Sequence, residues 1–423
     1  MPIIQRITKF FHEIRSNFAT PAQWLIDIFG GRESKAGIRV NANAALRVSA
    51  VFACVNLMSQ TMASLPLVLY KKLDRGKDRA VNHPIYNLLH YLPNPETTSF
   101  DFWVMYIVNL MLTGDAFAYI KRDGNGTILE LWNIPSGNVT IYRNRETSEI
   151  YYRVVDDYGN QETFYPENIM HTRGMRFNKR DKSIRPIEAA RDALGLTIAL
   201  EEYGSKYFAN GANTGGIVKV AGSLSDTAFQ RFKESFQEKY AGIGNSSKVL
   251  FLEEGTDYVK LGNDPDKSQS LETRKFQIAE VARFFYNIPL HKILDLSGST
   301  NNNIEQQSID FVQSCVGPFA VRIEQTIYKD LLLPNERKKL FAKFNLNGLL
   351  RGDSAARKEF YQAMVQNGVY SPNDVLEKED ENTFEGGDIH MVNGNMIPVE
   401  LLMEVQRAKL AKGGEISGGN SKD

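Results

Sequence analysis

The chain has 423 residues, enough for two or three domain-sized units with buried cores. Its 50 Lys and Arg residues balance 50 Asp and Glu residues, which excludes the basic excess that general nucleic-acid binders use to neutralise phosphates. The most apolar run, 102–112, is far shorter than the roughly 20 residues of a membrane helix, and the N-terminus lacks a signal-peptide pattern. We therefore expect a soluble intracellular protein in which Cys54 and Cys315 are buried thiols rather than a disulfide framework.

The first half of the chain is predicted to be a peripheral segment followed by an α+β block. Residues 1–35 place apolar side chains on one helix face and end in a glycine-containing break. A strong helix is predicted at 45–64, and Thr98 with Asp101 three residues on predicts a capping box for the helix that continues through Leu112. Strands with hairpin turns follow, and the turn signals begin at Asp123 and Tyr158.

A second block is built from two long helices, predicted at 186–210 and 266–288. They bracket a small module with a strand, an amphipathic helix capped by Ser225, and two further strands. A strand–helix–strand–strand module held between two helical stalks is therefore the expected organisation of this region.

A polar loop at 294–303 precedes a long amphipathic helix predicted at 304–333. Apolar residues recur every three or four positions along this helix. Gly317 and Pro318 stand in its middle, and they predict a kink because proline lacks the backbone donor and clashes with the preceding turn. A strand at 339–349 and C-terminal helices follow, one of them opened by a capping box at Ser371, and the last eleven residues are expected to be disordered.

No catalytic, cofactor or metal site is predicted from the sequence. None of the six histidines has metal-ligand spacing with another, and the stretch "GIGNSSK" at 242–248 lacks the ending of a phosphate loop. No nucleophile motif of the form G-x-S-x-G occurs. The basic run at 176–183 fits either a solvated loop or a surface that touches phosphates.

Four segments in order resemble those of tailed-phage portal proteins of the compact type found in long-tailed phages and prophages. They read "LMLTGDAFAYIKRDGNG", "GLTIALEEYGSKYFANGA", "LETRKFQIAEVARFFYNIP" and "NNNIEQQSIDFVQSCVGPFAVRIEQ". The resemblance extends over residues 40–375 and implies an α+β, multidomain subunit that assembles into a ring. It divides the chain into an N-terminal flexible segment 1–35, a wing 36–187, a stem helix 188–210, a clip 211–265, a second stem helix 266–288, a tunnel loop 289–303, a kinked tunnel helix 304–333, a wing strand 334–352, crown helices 353–412 and a disordered tail 413–423.

The resemblance also implies the partners and the residues that meet them. Portal proteins form a cyclic homo-oligomer, usually of twelve copies, at one capsid vertex, assembled in the host cytoplasm. Double-stranded DNA passes through it during packaging and ejection. The ring docks large terminase and later a head-completion adaptor, and it meets major capsid and scaffolding proteins without any membrane. The expected channel residues are Ser297, Ser299, Thr300, Asn301, Asn302 and Asn303; the clip docking residues are Lys233, Glu234, Lys239 and Lys248; possible phosphate contacts are Lys179, Arg180, Lys182, Arg274 and Lys275.

Neutral side chains suit a loop that moving DNA slides past. The duplex carries one negative charge per roughly 1.7 Å of its axis, so a basic sleeve would hold it and an acidic sleeve would repel it. Asn, Ser and Thr exchange hydrogen bonds with phosphates and water without reading sequence. Two other interpretations remain open: an enzyme with a dispersed site lidded by 294–303, and an oligomeric scaffold that meets no DNA. A ring with an open central channel would distinguish the portal from both.

Overall fold

The computed structural model describes residues 33–74, 76–156, 158–177, 181, 183–209, 216–220, 225–227, 229–231, 234, 256–260, 267–293, 309–346, 349, 354–379 and 381–391. The chain divides after Leu346 into two compact units, and each is treated by itself. No helix among these residues is both long and apolar enough to cross a lipid bilayer.

The predicted first helix is two helices, α1 (Ala42–Arg47) and α2 (Ser49–Ala63). Val48 between them is extended, with φ −72° and ψ 116°, so the α-helical ladder is interrupted there. The side chain of Asn41 caps α1 by accepting the Ala44 amide at 2.8 Å. The inner face of α2 is fully buried and carries Val51, Cys54, Val55, Met58 and Met62.

Two strands and two helices follow in chain order. They are β1 (Leu67–Lys72), β2 (Lys77–Arg79), α3 (Pro84–His90) and α4 (Ser99–Thr113). The N-cap of the predicted capping box is confirmed, because the Thr98 hydroxyl accepts the Asp101 amide at 3.2 Å. The Asp101 carboxylate accepts from the Thr98 hydroxyl at 2.7 Å. Helix α4 packs on α2 and buries its large aromatic side chains in the core of this unit. Those side chains are Phe102, Trp103 and Tyr106.

Six strands form the two antiparallel sheets that the sequence predicted as hairpins. They are β3 (Asp115–Arg122), β4 (Ile128–Ile134), β5 (Val139–Arg143), β6 (Ile150–Val155), β7 (Gln161–Phe164) and β8 (Ile169–Arg173). One sheet has the order β4-β3-β8 and the other β5-β6-β7. A shared core between them contains Phe117, Tyr119, Ile134, Tyr152, Val154, Phe164 and Ile169.

One glycine pair fixes the edge where β3 begins and β8 ends. Gly114 has φ +81°, and a Cβ at this position would lie 2.4 Å from the Ile184 carbonyl oxygen. Gly174 donates its amide to the Gly114 carbonyl at 2.6 Å, and a Cβ there would meet the same oxygen at 2.4 Å. Only glycine fits at either position.

The two stalk helices are present as predicted. The first is α6 (Arg191–Ala209), which follows a short α5 (Pro186–Ala189). The second is α7 (Lys267–Phe284), which packs against α6. Between them β9 (Gly216–Val220) pairs antiparallel with β10 (Thr256–Lys260). The Thr197 hydroxyl lies 3.4 Å from the Gln277 side-chain oxygen, which joins α6 to α7 close to α2.

The predicted long helix continues through two helix types. A π-helical turn spans Phe311–Val316, and α8 spans Gly317–Asp330. Strand β11 (Leu340–Phe344) then pairs antiparallel with β1, so that Leu69 lies opposite Ala342 and the sheet order is β11-β1-β2. The strand predicted at 339–349 is therefore present and joins the sheet of β1 and β2.

The second unit contains α9 (Ser354–Gln366) and α10 (Pro372–Lys378). The capping box predicted at Ser371 is present, with its hydroxyl accepting the Asp374 amide and the Asp374 carboxylate accepting the Ser371 amide. The Tyr361 hydroxyl donates to Glu379, which ties the two helices together. The helix predicted from Pro398 and the tail from Gly413 lie outside the described residues.

Candidate functional site

A strained backbone segment follows stalk helix α7, shortly before the polar loop. Tyr286 has φ +66° and Asn287 has φ +56°, both in the left-handed region that side chains other than glycine rarely occupy. Each such residue costs about 1–3 kcal/mol unless its surroundings impose the conformation. The contacts around these two residues therefore show what holds the end of α7.

The Cys315 thiol provides one of those contacts. Its Sγ lies 3.3 Å from the Tyr286 carbonyl oxygen and 3.7 Å from that of Asn287. Burial raises the pKa of Cys315, and burial with a smaller effect of Cys315 raises the pKa of Cys54 to about 12, so both thiols keep their protons. The two cysteines are free and buried, as predicted, and the Cys315 S–H is able to donate to the strained segment.

Aromatic packing reinforces this joint between α7 and α8. The Tyr286 ring meets the Phe319 ring edge-on, with centroids 4.6 Å apart and planes at 81°. Burial raises the pKa of Tyr286 to about 12, so the phenol stays neutral. The residues before the polar loop and those after it are thus held together at one place.

The π-helical turn explains how Pro318 enters the long helix. The Gly317 amide donates to the Val312 carbonyl, five residues back, and a Cβ on Gly317 would lie 3.3 Å from that oxygen. Pro318 then stands in the first turn of α8, where its missing donor costs least. The structure therefore changes helix type at the position where the sequence predicted a kink, while a bend angle there stays a prediction.

The same turn keeps the apolar face of the helix on one side. The predicted apolar positions from Phe311 to Leu331 follow a spacing of four, which overshoots a full α-helical turn by about 40° at each step. A π-helical turn contains more residues and offsets part of this drift. The predicted face is buried throughout the described part of the helix and comprises Phe311, Cys315, Phe319, Ile323, Ile327 and Leu331.

Polar contacts fix α8 to the sheets along its length. Arg322 Nη1 donates to the Arg173 carbonyl at 2.7 Å, and the His171 amide donates to an Asp330 carboxylate oxygen at 3.1 Å. On its other side, Glu324 accepts the Phe344 amide at 2.8 Å. Helix α8 is therefore bound to β8 and to β11, and a shift of this helix would break contacts on both.

Below α8 lies a buried network centred on His171. Its Nε2 is 3.0 Å from Asp115 Oδ1, and its Nδ1 is 3.2 Å from the Tyr152 hydroxyl and 3.2 Å from Arg173 Nε. Burial lowers the pKa of His171, with the Asp115 hydrogen bond partly opposing. A neutral ring with its proton on Nε2 satisfies every partner, because Nδ1 then accepts from Tyr152 and Arg173.

This Asp–His–hydroxyl set has the residue types of a catalytic triad but the surroundings of a core. The His171 side chain is fully buried, and burial raises the pKa of Tyr152 to about 12. No substrate reaches the ring nitrogens in this arrangement, so the network positions strands rather than reacting atoms. Sequence reasoning missed it because Asp115, Tyr152 and His171 belong to three different strands.

Few of the predicted site residues fall where the structure describes the chain. Glu234 is helical and exposed, and Arg274 and Lys275 are exposed on α7. Arg274 reaches towards α6, since a Cβ on Gly204 would lie 3.5 Å from its guanidinium, and it lines a cavity of about 330 Å³ together with Glu201. Outside the described residues lie Ser297, Ser299, Thr300, Asn301, Asn302, Asn303, Lys179, Arg180, Lys182, Lys233, Lys239 and Lys248. No cluster of potential metal ligands occurs in the described ranges.

Comparison with known proteins decides the family. The family model for the phage portal protein matches residues 49–380. The chain belongs to the phage portal protein family. It is 33% identical over 370 residues to the probable portal protein of Streptomyces phage phiC31, covering 84% of this chain and 79% of that one. It is 30% identical over 365 residues to the portal protein of Enterobacteria phage HK97, covering 85% of each.

Two solved structures share the fold of this chain. An HK97 family phage portal protein from Corynebacterium diphtheriae aligns with a TM-score of 0.55 at 20% identity, over 73% of this chain and 96% of that one. A chain from the neck of a native GTA particle, computed with C12 symmetry, aligns with a TM-score of 0.55 at 17% identity, over 81% and 92%. Portal proteins are structural components of the virion, and their general role is DNA passage.

Proposed function

We propose that copies of this chain close into a ring at one vertex of a phage capsid and form the channel for double-stranded DNA. Family membership supports this role, and the C12 symmetry of the related particle neck supports twelve copies. Head-to-tail contacts between identical subunits close into a ring when the rotation per subunit permits. The ring would assemble in the host cytoplasm, bind major capsid and scaffolding proteins, and catalyse no reaction itself.

The proposed ring is supported by exposed aromatic side chains on the two stalk helices, α6 and α7, and on the neighbouring helix α2. Phe52 on α2, Tyr203 on α6 and Phe276 on α7 are each more than half exposed, at 56%, 55% and 56%. Helix α7 contacts both α2 and α6 within one copy. A subunit that leaves large apolar side chains in water on its long helices is suited to contact with neighbouring copies.

The channel lining is proposed at the tunnel loop, from Ser297 to Asn303. The described residues on both sides support a loop held by its ends, because Cys315 contacts the carbonyl of Tyr286 across it. Its composition is neutral and polar, which lets a charged duplex pass without capture. The Gly317–Pro318 bend would set the direction in which the loop projects.

Docking of terminase, and later of the adaptor, is proposed at the clip, 211–265. The pairing of β9 with β10 between α6 and α7 supports a separate module at the end of the stalks. Glu234 is exposed, and Lys233, Lys239 and Lys248 are the cations proposed to share this surface. The energy for DNA movement would come from the docked ATPase, since the chain carries no Walker motif.

The ring is tested by one charge placed in the proposed contact. Phe276→Glu should leave the secondary structure intact and convert rings into monomers or small oligomers, because a carboxylate would be desolvated between copies. Tyr158→Glu, on the exposed turn between β6 and β7, is the matched control and should assemble normally. Sedimentation velocity and negative-stain images measure the outcome.

Two results would contradict the proposal. Wild-type protein that remains monomeric or dimeric under all solution conditions favours the enzyme interpretation, and a closed assembly without a central hole favours the scaffold. Equal assembly of Phe276→Glu and wild type would show that the stalk aromatics lie outside the contact between copies.

A further inference from the structure

A cation-lined cavity of about 810 Å³ lies beside Gly317 and Pro318, between α8, the end of β8 and β11. Its volume falls within the range of about 300–1,000 Å³ that is common for ligand sites. The charged residues in its wall are four cations and one carboxylate: Arg173, Arg176, Arg322, Lys343 and Glu324. Since the whole chain is neutral, this is a local excess of positive charge.

The single carboxylate does not neutralise the cavity. Glu324 is half buried and already accepts the Phe344 amide at 2.8 Å. Burial raises its pKa, an effect that the hydrogen bond and Lys343 partly oppose. Its charge is therefore engaged by the strand it contacts.

Two of these cations, Arg322 and Lys343, retain donors for a ligand. Within the described part of the chain, the guanidinium of Arg322 makes one hydrogen bond, from Nη1 to the Arg173 carbonyl. Lys343 is exposed, and its ammonium makes no hydrogen bond or ion pair with any described residue. Guanidinium and ammonium groups in a concave wall bind carboxylates or phosphates through charge-assisted hydrogen bonds.

Part of the cavity wall is apolar, and this distinguishes between the carboxylates of a peptide and the phosphates of DNA as the bound anion. Pro318 is exposed, Val321 is 49% exposed, and both line the cavity together with Ala320 and Leu346. Duplex DNA is a convex rod whose phosphates project from a polar surface, so it would make no apolar contact with exposed Val321. An acidic peptide with interspersed apolar side chains matches both the cations and the apolar wall.

We propose that this cavity binds an acidic, partly apolar peptide segment of a partner protein. Its carboxylates would bind Lys343, Arg322 and Arg176, and an apolar side chain would cover Val321 and Pro318. The bound segment would contact the Gly317–Pro318 bend directly and so report on the position of the tunnel helix. The proposal does not depend on ring closure, because every residue of the cavity comes from one copy.

The test measures peptide binding by fluorescence anisotropy with the full-length protein. The probe is a short labelled peptide in which Glu alternates with Leu, and the comparison ligands are the Lys/Leu analogue and a short DNA duplex. Lys343→Glu should weaken probe binding about tenfold, which corresponds to about 1.4 kcal/mol. Arg176→Glu, on a different element and also exposed, should act in the same direction.

Lys71→Glu is the matched control because it changes the same charge on the neighbouring strand. Val68 lies opposite Lys343 in the β1–β11 pairing, so Lys71, three residues on, points to the other face. Its binding should equal that of the wild type. Probe affinity should also fall as salt is added.

The proposal would be overturned by the absence of probe binding or by equal loss in Lys343→Glu and Lys71→Glu. Preference for the Lys/Leu peptide, or duplex DNA binding with the same dependence on the variants, would also overturn it. Binding to unassembled chains but not to rings would also overturn it, because a neighbouring copy would then occupy the cavity. Ring formation is scored separately by sedimentation, so failure here leaves the proposed portal role untouched.

Discussion

His171 shows how a single titratable residue is held by groups from several elements. Asp115 accepts the Nε2 proton, and Tyr152 and Arg173 donate to Nδ1. A proton added at Nδ1 would face the guanidinium of Arg173 and would lose both acceptor contacts. The backbone amide of the same residue donates to Asp330 at the end of α8, so His171 connects this network to the helix.

The pH dependence of stability follows from this arrangement. The folded-state pKa of His171 is depressed, so above about pH 6.5 neither state binds the proton and the group contributes no pH dependence. As the pH falls below that value the unfolded chain binds a proton that the folded chain refuses, and stability decreases until the folded pKa is reached. His171→Gln should lower the free energy of unfolding by about 1–3 kcal/mol at neutral pH, because Asp115 loses the hydrogen bond that His171 donates. The difference from the wild type should shrink in acid.

Chemical denaturation at neutral and at mildly acidic pH measures the difference between the variant and the wild type. His390→Gln, at an exposed position outside this network, is the control variant. A difference for His171→Gln that does not change with pH would show that this histidine is not the titrating group.

At the scale of elements, the π-helical turn leads into α8 and contacts the segment that follows α7. The thiol of Cys315 contacts two left-handed residues after α7, and Phe319 at the start of α8 contacts the Tyr286 ring. Gly317 supplies the amide that closes the turn, and Pro318 supplies none. The type of helix at this place thus decides how α7 and α8 are held against each other.

Gly317→Ala with Pro318→Ala should convert the π turn towards a regular α-helix. Alanine restores a donor at 318, and its Cβ at 317 crowds the Val312 carbonyl at 3.3 Å. Because Pro318 lies in the first turn of α8, the gain in stability should be well below the roughly 3 kcal/mol of a helix-interior proline. We expect folded, assembled rings with defective DNA packaging or retention.

An in vitro packaging assay with purified rings provides the measurement. Pro334→Ala, in the exposed turn after the helix, is the control and should package normally. Wild-type packaging by the double variant would show that neither the bend nor the helix type guides the loop.

At the scale of the whole molecule, net charge and ring symmetry act together. In the proposed ring one loop side chain would be repeated once in every copy, so a single substitution would become a band of charge around the channel. At the narrowest point little water or salt screens this band. The proposed loop residues 297–303 include no Asp, Glu, Lys or Arg, so the native loop would bring no such band.

Replacing Asn301, Asn302 and Asn303 with Asp should therefore slow or stop packaging by repelling the duplex. Replacing the same three with Lys should hold the DNA and also reduce packaging, and added salt should relieve the Lys variant more. Asn125→Asp, in the exposed turn between β3 and β4, is the control for added charge outside the proposed loop. The assay is packaged DNA length at two salt concentrations; equal lengths for wild type, Asp and Lys rings would place the loop away from the channel.

The sequence by itself determined the element types and several local details of this protein. Spacing predicted the stalk helices, the Thr98 cap, the Ser371 capping box and the buried thiols, because helix periods and caps depend on residues close in the chain. Four ordered segments, extending over residues 40–375, also carry the resemblance to the portal family. Each of these features depends on residues that are near one another in the chain, so one sequence is enough to recognise them.

Only the tertiary structure decided what the long-range contacts do. The Asp115–His171–Tyr152 network, the thiol contact from Cys315 to Tyr286 and the cavity beside Lys343 join residues from elements far apart in the chain. Helix type at 311–316 also depended on the structure, since a spacing of four fits an α-helix nearly as well as a π turn. Periodicity fixes which face of an element is apolar, but the partner that covers that face is set by packing in three dimensions.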